Sequence, residues 1–90
     1  MNAYYLIDAT LLEQARQFAP TVGLPNQLFQ YVVSLDGSKA IVQAEWGEDA
    51  LAWLNEHSIF LGELQPDGSA PQAVYEELAK PEWQSPMEEY

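Results

Sequence analysis

Apolar and polar positions alternate most clearly in two runs, Phe29 to Leu35 and Ala40 to Trp46, joined by Asp36-Gly37-Ser38-Lys39. A period of two marks half-buried strands, and the connection has the chemistry of a hairpin turn. An even-length turn preserves side-chain parity. Phe29, Tyr31, Val33 and Leu35 are therefore expected on one sheet face with Ala40, Val42, Ala44 and Trp46. Gln30, Val32, Ser34, Ile41, Gln43 and Glu45 fall on the opposite, mixed face.

The rest of the chain resolves into shorter signals. Ala3-Tyr4-Tyr5-Leu6-Ile7 is aromatic and β-branched and reads as a first strand that Asp8 ends. Thr10 with Glu13 has the spacing of a capping box, and Leu11, Leu12, Ala15 and Phe18 form one helical stripe after it. Pro20, Gly23 and Pro25 forbid continuation, which predicts a loop over 19–27. Glu48-Asp49 favour the positive start of a second helix, whose stripe is Ala50, Leu51, Trp53 and Leu54 and which fades near His57-Ser58. Ile59 to Leu64 reads as a fourth strand, and Pro66-Asp67-Gly68 as a turn. Ser69 with Gln72 repeats the capping-box spacing before a third helix, where Ala73, Val74, Leu78 and Tyr75 are expected to face inward. Pro81 ends that helix.

The order is β-α-β-β-α-β followed by α, which predicts an α+β fold of the ferredoxin-like βαββαβ kind. Right-handed crossovers would place two helices on one face of a four-stranded antiparallel sheet, with strands 1 and 3 in the middle. A C-terminal helix and tail follow. The expected organisation is a single domain over 1–80 and an acidic tail over 81–90.

Charge changes the picture more than any motif. Fourteen Asp and Glu stand against three Lys and Arg, a net charge of −11 on 90 residues. Such a surface repels phosphate backbones and anionic membranes, which argues against direct nucleic-acid or membrane binding. Apolar residues at 48% are too abundant for a disordered acidic chain. With no cysteine there is neither a disulfide nor a thiolate metal site. No apolar run approaches membrane-spanning length and the first residues lack a basic signal region, so the chain reads as soluble and cytoplasmic. A saline environment is a second source of such acidity.

Reactive groups are scarce. His57, the single histidine, has Glu56 and Ser58 beside it in sequence, and neighbours in a helix do not face one another. Glu48-Asp49, Glu76-Glu77 and Glu88-Glu89 are adjacent acids on exposed segments, without the separation and unequal burial that acid–base pairs require. Asp67-Gly68-Ser69 lacks the downstream ligands of a calcium loop. The expectation is no catalytic residue, no metal and no cofactor.

Two surfaces are candidates for binding another protein. The tail carries Trp83, Met87 and Tyr90 as spaced anchors among acids. The mixed sheet face offers Val32 and Ile41, either to a partner or to a second copy of the chain. Glu45, Glu48, Asp49, Glu56 and Glu63 form the expected acidic surface.

Tyr4-Tyr5-Leu6-Ile7-Asp8-Ala9-Thr10, Val33 to Val42 and Leu78-Ala79-Lys80-Pro81-Glu82-Trp83 resemble small uncharacterised proteins of tailed bacteriophages. The resemblance implies a virion or assembly component, or an early protein that binds a host factor, with host cytoplasm or virion as its location. It carries over no functional residues. The reading that follows is a small acidic non-enzymatic interaction protein whose partner has a basic surface. The rival is a DNA mimic, in which the same five carboxylates imitate a phosphate track and occupy a nucleic-acid channel.

Overall fold

The computed structural model describes residues 1–20 and 28–83. Strand β1 (Asn2–Asp8) leads through a 3-10 turn (Ala9–Leu11) into the short helix α1 (Leu12–Gln17). Strands β2 (Gln30–Val33) and β3 (Lys39–Glu45) form the hairpin. Helix α2 (Glu48–His57) passes into strand β4 (Ser58–Glu63) with no residue between them. Helix α3 (Gln72–Leu78) and a closing 3-10 turn (Pro81–Trp83) complete the described chain.

The sheet is antiparallel throughout, in the order β2-β3-β1-β4, with the first and third strands at its centre. Hairpin parity follows the sequence pattern: Tyr31 pairs with Val42 and Val33 with Ala40. Ala3, Tyr5 and Ile7 from β1 and Ala40, Val42 and Ala44 from β3 share the face that meets Ala15 of α1 and Ala50 and Leu54 of α2. Small residues on the central strands let the short helices approach closely. The bulk comes from Trp46 and Tyr5, both almost fully buried, whose rings meet edge to face at 6.5 Å. The Trp46 indole donates to the Ala3 carbonyl at 2.9 Å, so its polar atom is satisfied inside the core. Trp53 packs against the same core and against Phe18.

The capping boxes do not form. Asp8, rather than Thr10, caps the first turn: its Oδ1 accepts from the Thr10 amide at 3.0 Å and the Thr10 hydroxyl at 2.8 Å. Asp67 takes the amide and hydroxyl of Ser69 in the same way, and α3 starts after Pro71 without a side-chain cap. A carboxylate two residues upstream reaches these donors before any helix needs them. Asp36 repeats the arrangement at the hairpin turn, accepting from the Ser34 hydroxyl and from both the amide and hydroxyl of Ser38. Gly37 follows at φ +76°, a left-handed residue within that turn.

The mixed face is not open. Across it the register aligns one apolar row, Val32, Ile41, Leu6 and Ile59, drawn from all four strands. Helix α3 lies on this side, where Ala70, Val74, Tyr75 and Leu78 border a groove with Tyr4, Val32, Ile41 and Gln43. Ile41 is consequently 3% exposed and Gln43 4%, whereas Tyr75, expected inward, points largely to solvent. Gly62 makes the closest approach beneath this layer. At φ +130° it passes so near Pro71 that an added Cβ would lie 2.7 Å from the proline ring. Between Tyr4 and Tyr5 the β1–β4 register slips, leaving Leu61 as the extra residue of a bulge.

Candidate interaction site

The first residues assigned to the tail make contacts with the rest of the structure. Residues 81–83 are held against the fold: Glu82 pairs with Lys39 at 2.6 Å, and its carbonyl accepts from the Leu35 amide at 2.9 Å. The Trp83 indole donates to Glu77 at 2.9 Å, and Glu77, which Lys80 also meets at 2.9 Å, is buried. Trp83 is therefore a half-buried strut rather than a free anchor. Met87 and Tyr90 lie outside the described residues.

The two sheet-face candidates part company. Val32 is 44% exposed at the rim of the groove, while Ile41 is covered and cannot contact a partner without displacing α3. The correction follows from α3 needing somewhere to bury Val74 and Leu78; the free sheet face is the nearest apolar surface. Helix α3 covers part of this face, while Val32 and Ile59 on it remain exposed.

The five acids are all exposed. Glu45 and Glu63 stand at the same end of the sheet, opposite Asn2 and Ala3 of β1. Glu48 and Asp49 open α2 three and four residues after Glu45. Glu56 lies near the other end of α2, about 12 Å further along at 1.5 Å per residue. Four of the five thus gather at one end and the fifth does not. Glu45 meets the Met1 amino group at 2.7 Å; Glu48, Asp49, Glu56 and Glu63 form no ion pair among the described residues.

The cations explain why the acids stay uncompensated. Lys39 and Lys80 are taken by Glu82 and Glu77. Arg16 is 3.5 Å from Glu13, and its guanidinium lies over the rings of Phe29 and Tyr31 at 5.1 and 5.3 Å. Every basic side chain of the sequence has an internal partner, so the field presented outward is anionic. Hydrogen bonds reinforce this at the turns. The Ser38 amide and the Ser34 and Ser38 hydroxyls hold the Asp36 carboxyl down at about 2. Asp8 and Asp67 are lowered by their own Thr and Ser donors.

His57 stacks on Trp53 at 4.8 Å, with Nδ1 2.9 Å from the Trp53 carbonyl. Among the described residues no three His, Asp or Glu side chains converge as metal ligands, and no helix is long and apolar enough to cross a membrane.

The outer strand falls where the sequence places it, but its exposed apolar pair was missed. Ile59 and Phe60 of β4 are 61% and 50% exposed, and a cleft bordered by Met1, Tyr5, Leu51, Asn55 and Phe60 runs between that strand and α2. The signal was present in the adjacent pair Ile59-Phe60: in an edge strand one side chain can face the core while the other cannot.

Among the described residues, the fold and this surface define an α+β protein with a four-stranded antiparallel sheet, three α-helices and exposed, unpaired acids. Comparison with known proteins finds no matching family model, no matching curated protein and no matching solved structure.

Proposed function

We propose that this chain is a small acidic non-enzymatic protein that works by docking onto another protein with a basic surface. The observation that carries the reading is the internal engagement of Arg16, Lys39 and Lys80, which leaves Glu48, Asp49, Glu56 and Glu63 without counter-charges at the surface. Charge complementarity of this kind raises the association rate and rejects acidic partners. The phage resemblance adds a setting, a virion or assembly component or a host-factor binder. A ferredoxin-like topology belongs to the same proposal, supported by the strand order and by α1 and α2 lying over one sheet face.

The test is affinity capture from the native host at low and high salt, followed by a salt titration with the captured protein. One partner with a basic patch, bound steeply more weakly as ionic strength rises, is the expected result. Turnover of a small molecule by homogeneous protein, or capture of no protein at low salt, overturns the reading. Release of nucleic acid from the captured protein would replace plain docking with DNA mimicry.

A further inference from the structure

The two edges of the sheet differ in what they offer. On the β2 side Tyr31 is engaged with Phe29, and Arg16, itself paired with Glu13, sits over both rings, so that strand is already packed by its own neighbours. On the β4 side no described strand pairs with the outer edge. Ile59 points to the mixed face in the row with Leu6, while Phe60 points to the core face beside Tyr5 at 5.3 Å. A strand with unpaired backbone groups and an exposed apolar residue on each face is a template for another strand.

Immediately beside it lies the cleft between β4 and α2, about 290 Å³, bordered by Met1, Tyr5, Leu51, Asn55 and Phe60. Leu51 and Asn55 are one helical turn apart, so the wall is continuous along α2. Acids stand around this region: Glu48 one turn before Leu51, Glu56 next to Asn55, and Glu63 at the end of β4. None of these three forms an ion pair among the described residues.

From this juxtaposition we infer that the outer edge of β4 accepts an extended basic segment of the partner protein as a fifth strand, with one apolar side chain entering the α2–β4 cleft. The inference rests on the docking reading above and deepens it by naming the surface and the conformation of the bound segment. A second copy of this chain is the wrong occupant, since it would bring a further net charge of −11 to the same edge. The β2 edge offers less, since Tyr31 there is already stacked with Phe29 and covered by the Arg16 side chain. Backbone pairing supplies affinity, the cleft selects the anchor, and the acids select lysine and arginine over glutamate.

The probe is a short synthetic peptide alternating lysine with valine and phenylalanine, titrated into isotope-labelled full chain and followed by amide chemical shifts. Two control peptides replace lysine by glutamate or methylate alternate backbone nitrogens. Expected shifts concentrate on Ser58 to Leu61 and on Leu51 and Asn55. The glutamate peptide does not bind, and methylation weakens binding on the order of tenfold, the loss of one or two net hydrogen bonds. Shifts spread over all five acids and indifferent to methylation overturn the edge pairing, as does an inert lysine peptide. The variant Ile59→Lys, at a solvent-facing position, is then tested against the captured partner. Loss of at least tenfold in affinity is expected. Undiminished binding overturns the fifth-strand inference alone, whereas failure to capture any partner strikes the docking reading itself. Glu63→Lys provides a second variant outside the apolar contacts, with the same expected loss.

Discussion

The indole nitrogen of Trp83 donates to the buried carboxylate of Glu77 at 2.9 Å, joining the last described turn to the helix before it. With Lys80 on the other carboxylate oxygen, this bond keeps a charged group tolerable where solvent scarcely reaches. Trp83→Ala removes a donor and the covering ring, and is expected to cost about 2 kcal/mol, with Trp83→Phe costing about half as much. Urea unfolding of both variants measures the difference. Equal stability of Trp83→Ala and the unaltered protein would show that the segment is not docked in solution.

Acid sensitivity follows from the same contacts. The Lys80 hydrogen bond, helped by Trp83, lowers the Glu77 carboxyl below its ordinary 4.5, and the Lys39 hydrogen bond does the same for Glu82. A lowered carboxyl favours the folded state above the ordinary value, and that contribution disappears as pH falls through the folded-state value. Trp83 fluorescence should therefore change below about pH 4.5, before the far-ultraviolet signal of the sheet is lost. Asp36 extends the window: its ordinary 3.8 drops to about 2, so the hairpin turn keeps its support until the most acidic part of the titration. Asp36→Asn abolishes that last contribution and moves the acid midpoint upward.

Gly62 and Gly37 make a matched pair. Both have positive φ, but an added Cβ at Gly37 meets nothing within 4 Å, while at Gly62 it meets Pro71 at 2.7 Å. Gly37→Ala is expected to cost about 1 kcal/mol of backbone strain. Gly62→Ala adds displacement of Pro71 and should cost about 3 kcal/mol. Adding Pro71→Gly, which removes both of the ring carbons in contact, should recover part of the second loss and none of the first. Equal costs at the two positions would contradict the packing of the Pro71 segment on β4.

Salt acts on stability in the opposite direction from its action on docking. Raising ionic strength from 0.01 to 1 M contracts the Debye length from about 30 Å to about 3 Å. That relieves repulsion among fourteen acids at the expense of a few half-exposed ion pairs, each worth about 0–1 kcal/mol. Repulsion dominates, so Tm should rise by several degrees, since about 1 kcal/mol shifts a domain of this size by roughly 4–8 °C. Differential scanning calorimetry in NaCl checks the sign.

The hairpin was legible because a two-residue period leaves little choice: Tyr31 and Val42 had to share a face once the turn was even. The central place of the first and third strands followed from crossover handedness. Ile41 was misplaced for a different reason. Its burial depends on where α3 comes to rest, a long-range fact that local alternation does not contain. The caps failed because Ser and Thr were credited with helix amides that Asp8 and Asp67 bring into their own turns. The recurring Asp-x-Ser/Thr spacing, at Asp8, Asp36 and Asp67, was the visible clue. Leu35 shows the same limit, half exposed in a turn although its parity pointed inward.

Helix α2 hands over to β4 between His57 and Ser58 with no intervening residue. There is no slack at that joint. A ligand gripping the outer strand must tug the last helical turn along with it. Tension of that kind would reach Trp53, on which His57 stacks, and Phe18 beyond it. If a segment docks on β4 as inferred above, the emission of Trp53, which touches both His57 and Phe18, is expected to change with it.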